Sequence, residues 1–185
     1  MKRRLFSSLG VALGLLVPGC AHEAASRPGA TVSRPTSGPL TLTPYASPSG
    51  FLVLMPPDPK LEHRTQQTLG GPVQTEIAEA RGYVASVSIL PELAVQTMDA
   101  KSLLRTAEST SVKELRAKLL GSKEITGDGL PGREFIADGP GGRVAGRLLL
   151  GGAQLYSLMA TYPADAPAPI EVNEFLGSFR RANPQ

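Results

Sequence analysis

Two histidines, His22 and His63, are all the imidazoles in this 185-residue chain, and Cys20 is its one thiol. A zinc site built on several imidazoles has too few ligands, and a disulfide within the chain has no second sulfur. A Ser-His-Asp arrangement would have to turn on His63, which stands among Glu62, Arg64 and Thr65 with no Gly-x-Ser-x-Gly elbow. No catalytic residue, metal ligand or cofactor is therefore expected. Carboxylates recur in pairs, Glu124 with Asp128 and Glu134 with Asp138, which serve acid and base chemistry only where a cleft gathers them. On strands and turns they read as solvated charges. Gly139 to Gly142 lacks the Lys-Ser/Thr ending of a phosphate loop and joins two strand patterns, so it reads as a hairpin turn. What remains is a candidate interaction surface of Arg133, Glu134, Arg143 and Arg147, the last two on one face of a strand. It would offer a small anion site or pair with acidic neighbours across the sheet.

The net charge of +3 and the pI of about 9.2 do not mark a nucleic-acid binder, because Lys2, Arg3 and Arg4 alone account for the excess. The rest of the chain is close to neutral and lacks a concentrated basic footprint. Without tryptophan, and with five Phe and four Tyr, a stacking platform for sugars or bases is poorly supplied.

Those three cations precede an apolar run, Leu5 to Val17, that carries no charge and has the length of a signal h-region, well short of the roughly 20 residues that span a bilayer. The run closes on Val17-Pro18-Gly19-Cys20, which resembles the lipobox of bacterial lipoprotein precursors, with Pro18 an uncommon residue at its position. The resemblance implies cleavage before Cys20 and lipidation of its sulfur. Two or three acyl chains then hold a protein at a membrane where one would not. From Ala21 to about Thr43 the chain is rich in Ala, Ser, Thr, Gly and Pro, a composition that cannot offset its ordering entropy. The expected division is a signal peptide over 1–19, the lipidated Cys20 with a flexible tether over 20–43, and one domain over 44–182. The tether's root-mean-square reach is about 25 Å. His22 falls in it as a solvated side chain. Ala21 is not the aspartate that marks inner-membrane retention in some bacteria, and the choice of membrane stays open.

The domain is large enough for a core without staples. Period-two patterns predict strands at Phe51 to Met55, Glu62 to Leu69, Pro72 to Ala80 and Gly82 to Leu90, with Gly70-Gly71 as a hairpin turn. Thr97 or Asp99 is expected to cap a helix running to about Leu120 and stopped by Gly121. Its buried stripe is Ala100, Leu103, Leu104, Ala107, Ser111, Leu115 and Leu119; Lys101, Arg105, Glu108, Lys113, Glu114 and Arg116 form the solvated side. Further strands follow at Glu124 to Thr126, Leu130 to Asp138, Arg143 to Leu150 and Gln154 to Tyr162, then a helix near Ile170 to Phe179. The pattern predicts an α+β fold, an antiparallel sheet packed by helices.

This order of elements resembles the PsbP-like α/β/α sandwich of uncharacterised bacterial envelope proteins, over about Gly50 to Arg180. The resemblance is carried by Phe51-Leu-Val-Leu-Met-Pro, Asp128-Gly-Leu-Pro-Gly-Arg-Glu134, Gly152-Ala-Gln-Leu-Tyr-Ser-Leu158 and Phe175-Leu-Gly-Ser-Phe179. The same fold occurs in a photosystem II extrinsic subunit and in a Ran-binding nuclear import factor. The resemblance implies an accessory module that acts through its surface, an inference by analogy. The expected function is thus that of an envelope-anchored, non-catalytic interaction module with another envelope protein as partner. The alternative is a small-molecule or lipid-binding lipoprotein with a pocket between sheet and helix. An enzyme would require a perturbed carboxylate or His63 in a concave site.

Overall fold

A computed structural model describes residues 40–182 apart from residue 69. The signal segment, Cys20, His22 and the tether up to residue 39 lie outside the described residues. In chain order the elements are β1 (Thr43–Ala46), β2 (Phe51–Met55), β3 (Lys60–Thr68), β4 (Gly71–Ala80), β5 (Tyr83–Ile89), α1 (Glu92–Thr97) and α2 (Ala100–Glu114). There follow β6 (Lys118–Gly127), β7 (Leu130–Gly139), β8 (Gly142–Gly151), β9 (Gln154–Tyr162), α3 (Ile170–Gly177) and β10 (Arg180–Arg181).

Seven strands form one antiparallel sheet in the order β3-β4-β5-β9-β8-β7-β6. Two meanders build it, β3-β4-β5 and β6-β7-β8-β9, and they join where β9 pairs with β5 from Tyr83↔Ala160 to Ile89↔Gln154. The central strands are buried on both faces, which is why Val144-Ala-Gly-Arg-Leu-Leu-Leu150 and Leu155-Tyr-Ser-Leu-Met159 are dense in apolar residues rather than cleanly alternating. One face of β8 and β9 gives Leu148, Leu150, Leu155 and Met159 to a core under α1 and α2. The other gives Leu149, Tyr156, Leu158 and Ala160 to a core under α3 and a second, three-stranded sheet, β1-β2-β10. Helices therefore cover both faces, and the fold is the α+β sandwich that the sequence predicts.

The second core centres on aromatic contacts between layers. Phe51 meets Tyr156 edge-on at 6.0 Å between ring centres and stacks on Phe179 at 6.1 Å, while Tyr83 meets Phe175 edge-on at 5.2 Å. Ser178 fastens the end of α3 to β2 by accepting from the Leu54 N–H at 2.8 Å and donating to the Phe175 carbonyl at 2.7 Å. Leu40 and Leu42 already pack against this core, and β1 begins at Thr43.

The helix expected to reach Leu120 stops at Glu114. Arg116, at φ 50°, adopts the left-handed conformation, and the N–H groups of Arg116 and Ala117 bond back to the carbonyls of Lys113 and Val112. This is a Schellman cap closed by arginine where glycine is usual. Leu119 and Gly121 consequently belong to β6, which starts six residues earlier than expected and carries a bulge between them. Glu108, placed by helical spacing on the solvated side, is 6% exposed. Asp99 does cap α2, accepting from the Ser102 N–H at 2.9 Å, whereas Thr97 ends the short α1, which has no forecast in the sequence pattern.

Gly146 allows the closest approach between neighbouring side chains in the sheet. A Cβ built on it would lie 2.3 Å from Cζ of Phe135, itself 1% exposed and unable to move aside. Gly146→Ala should therefore destabilise the fold by about 2 kcal/mol, the overpacking cost of a full core, seen as a lower midpoint in urea with the slope unchanged.

Candidate interaction surface

The four charged residues singled out by the sequence do not share one surface. Arg133 faces α2, in register between Glu124 and Leu148, whereas Glu134 and Arg147 stand opposite each other on the other face of the sheet. Arg143 is also on that second face, in register with Asp138 and Tyr162, and its Nε is buried without a hydrogen-bond partner among the described residues.

Arg133 is held by the helix it lies beneath. Its Nε donates to Glu108 Oε2 at 2.8 Å, one guanidinium nitrogen reaches Ser122 Oγ at 2.6 Å, and Ser122 donates in turn to Glu108. The two side chains are 12% and 8% exposed, so their charges are answered inside the fold rather than offered to a partner. Around them Glu124 takes Lys101 at 2.6 Å, with Arg105 and Arg133 at 3.9 and 3.8 Å. The Lys101 ammonium, first among these cations, holds the Glu124 carboxyl below its ordinary range. On the opposite face Glu134 bonds Arg147 at 2.7 Å and Lys123 at 2.9 Å. Burial works to raise the Glu134 pKa, and the hydrogen bonds from Lys123 and Arg147 outweigh it, leaving the carboxyl lowered. Asp128, at φ 51° in the β6–β7 turn, accepts from the Arg181 N–H at 3.0 Å and its Nε at 3.2 Å. The backbone bond leads in depressing its pKa. The pairs Glu124 with Asp128 and Glu134 with Asp138 are thus not assembled into acid and base couples: three of these carboxylates are bound to cations.

Two acidic groups are less well answered. Glu114, in the last turn of α2, has a buried Oε2 with no hydrogen-bond partner among the described residues, and burial pushes its carboxyl up to about 7. Glu76 on β4 is 5% exposed and accepts hydroxyl hydrogen bonds from Ser47 and, at 2.5 Å, Ser49, both in the turn between β1 and β2. Tyr45, on β1, precedes that turn. Its hydroxyl is buried without a partner among the described residues, and burial, with the Glu76 charge as the second cause, raises its pKa. His63 is exposed on β3 directly opposite Glu76 in register. Sequence reasoning passed over this cluster. The available signal was a Glu in a strand that otherwise alternates toward a core, at Val73-Gln-Thr-Glu-Ile-Ala78.

Openings lie at the surface of the described residues. A groove of about 470 Å³ between α2 and the β6–β7 hairpin is lined by Lys101, Leu104, Glu124, Ile125, Pro131 and Arg133. Another, of about 540 Å³, lies beside Asp128, Tyr156 and Arg181. A smaller one of about 160 Å³ lies over Glu76 and His63. Between α2 and the more central strands, Leu103, Leu104 and Ala107 join Phe135, Ala137, Val144 and Leu148 in one buried cluster.

A seven-stranded antiparallel sheet with helices on both faces places the domain in the PsbP-like class of α+β folds. The solution structure of the cyanobacterial PsbP protein, CyanoP, from Synechocystis sp. PCC 6803 superposes with a TM-score of 0.51 at 15% identity, covering 83% of this chain and 99% of that one. A crystal structure of a Pseudomonas aeruginosa protein of unknown function, described as a putative regulator, matches at a TM-score of 0.31 and 15% identity, covering 70% and 99% of the two chains. No family model matches the sequence, and no curated protein matches it. The likeness to CyanoP defines the fold.

Two predictions follow from the charges. Arg133→Met should cost about 3 kcal/mol in chemical denaturation, because it leaves the Glu108 charge buried with only Ser122 beside it. Restoring an apolar pair with Glu108→Leu in the same chain should recover a good part of that loss. For Glu114 the folded pKa lies above the unfolded one, so the native state holds more protons between about pH 4.5 and pH 7. Its contribution is favourable below pH 4.5 and lost as pH rises through 7. Glu114→Gln should therefore raise the thermal midpoint more at pH 8 than at pH 4.5.

Proposed function

We propose that the protein is a lipid-anchored component of the bacterial cell envelope whose α+β domain is a non-catalytic module for contact with another envelope protein. The observation that carries this reading is the unique Cys20 at the end of a basic, then apolar, leader. The charge network of the domain supports it, since Arg133, Glu134 and Arg147 are committed to internal pairs instead of converging in a cleft. No helix among the described residues is long and apolar enough to cross a membrane.

A second reading, a small-molecule or lipid carrier, draws on the groove beside α2, where Leu104, Ile125 and Pro131 provide an apolar floor.

Wild-type and Cys20→Ala chains expressed in a bacterial host with an alkyne-tagged fatty acid should separate cleanly. The wild type should carry the label and sediment with membranes, and Cys20→Ala should do neither. Unlabelled wild-type protein would refute the anchor. In-cell crosslinking with mass spectrometry should then capture a specific envelope protein from the anchored form. An empty capture from labelled, well-expressed protein would overturn the interaction reading in favour of the groove.

A further inference from the structure

The side chains around Glu76 form two rows across three strands on the α3 face of the sheet. His63, Glu76 and Val87 are in register, and two residues along, Thr65, Gln74 and Ile89 are in register. Ser49 from the β1–β2 turn also lines this opening of about 160 Å³, as does Arg64, whose guanidinium bonds Glu62. That is room for one long side chain, well under the 300 Å³ or more of a drug-sized ligand site.

The chemistry of the opening is asymmetric. At one end is a carboxylate that is 5% exposed and is supported by hydroxyls alone: none of the ion pairs among the described residues involves it. Buried charges are normally paired, because hydroxyl hydrogen bonds only partly replace the lost hydration. Every other carboxylate described above as part of a network has its Lys or Arg. Beside it on β5 are Val87, buried and directly opposite Glu76, and Ile89, 41% exposed, which make an apolar wall. A hard divalent ion requires six or more oxygen ligands. One carboxylate beside an aliphatic wall suits instead a cation carried on an aliphatic stem, whose methylenes lie on the wall while the head reaches the acid.

We propose that this opening is a binding site for an alkylammonium or guanidinium group, the side chain of a lysine or arginine on a partner protein. The inference rests on the interaction-module reading above and specifies the partner's chemistry. Ser47 and Ser49 orient the Glu76 carboxylate, Ile89 and Val87 bind the stem, and Gln74 and Thr65 rim the mouth.

The full-length lipidated protein in detergent micelles is titrated at pH 8. The probes are N-acetyl-lysine methylamide, N-acetyl-arginine methylamide and their neutral analogue N-acetyl-norleucine methylamide, followed by NMR shifts. Binding of either cation, with the norleucine probe at least tenfold weaker, is expected. Glu76→Gln should abolish the difference. Because that variant alters a buried group, Gln74→Lys at an exposed position provides the second arm: its own ammonium fills the opening and should weaken the probes at least tenfold without unfolding the chain. Equal binding of all three probes, binding unchanged in both variants, or no binding at all would overturn the site. Calcium chloride that shifts the same resonances at lower concentration than either probe would overturn the choice of an organic cation. If crosslinking captures the same partner equally from wild type and Gln74→Lys, the opening is not its recognition site, while the interaction-module reading survives.

Discussion

The pairing of β5 with β9 is the constraint on which the remainder of the fold depends. It joins two meanders that are separated in the chain by both helices of one layer, and it does so through seven residue pairs, most of whose side chains are buried. Tyr83, Ala85 and Val87 face the core under α3, as do Tyr156, Leu158 and Ala160, while Leu155 and Met159 face the core under α2. A slip of one residue would exchange the two sets and put each into the wrong core. The register of this seam therefore fixes where both helical layers sit, and with them the rows of side chains that form the surface openings.

Electrostatics in the domain is mostly internal. Arg133 and Glu108 pin α2 to β7, Arg147 and Glu134 tie β8 to β7 across the opposite face, and Arg181 brings the C-terminal strand against the β6–β7 turn through Asp128. Each pair links elements adjacent in space, and each uses up a charge that the bare sequence could have assigned to a ligand. Glu76 departs from this pattern. It is buried as deeply as Glu108, and its partners are two serines brought by the turn that precedes β2.

The sheet was largely legible in the sequence because antiparallel hairpins announce themselves locally. Gly70-Gly71, Asp128-Gly129 and Gly139 to Gly142 mark turns between flanking strands, and β9 spans Gln154–Tyr162, the bounds expected from the sequence. The end of α2 was not legible, because the left-handed cap is taken by Arg116, a residue with no compositional signature for that role, and Gly121 offered a plausible false stop. The two outer strands of the small sheet escaped for a different reason. Strands of four and two residues carry too little pattern, and β10 pairs with a strand more than 120 residues away in sequence. The candidate charges failed as a group because adjacent residues 133 and 134 of one strand point to opposite faces of the sheet, as period two requires, and the partner each face supplies comes from elements distant in the chain.

The way the chain enters the domain has a mechanical consequence. β1 is bonded on one side only, to β2 over four residue pairs, and Leu40 and Leu42 lead directly into it. Tension applied to the segment before residue 40 thus reaches this short outer strand before any strand of the large sheet. The four pairs come first in the path of the load, while β5, β8 and β9 have bonded neighbours on both sides. Peeling β1 away would carry Ser47 and Ser49 with it and strip the Glu76 carboxylate of its hydroxyls, leaving the seven-stranded sheet intact. Pulling force would in this way be absorbed at a sacrificial joint, and the same joint governs the state of the acid beneath it.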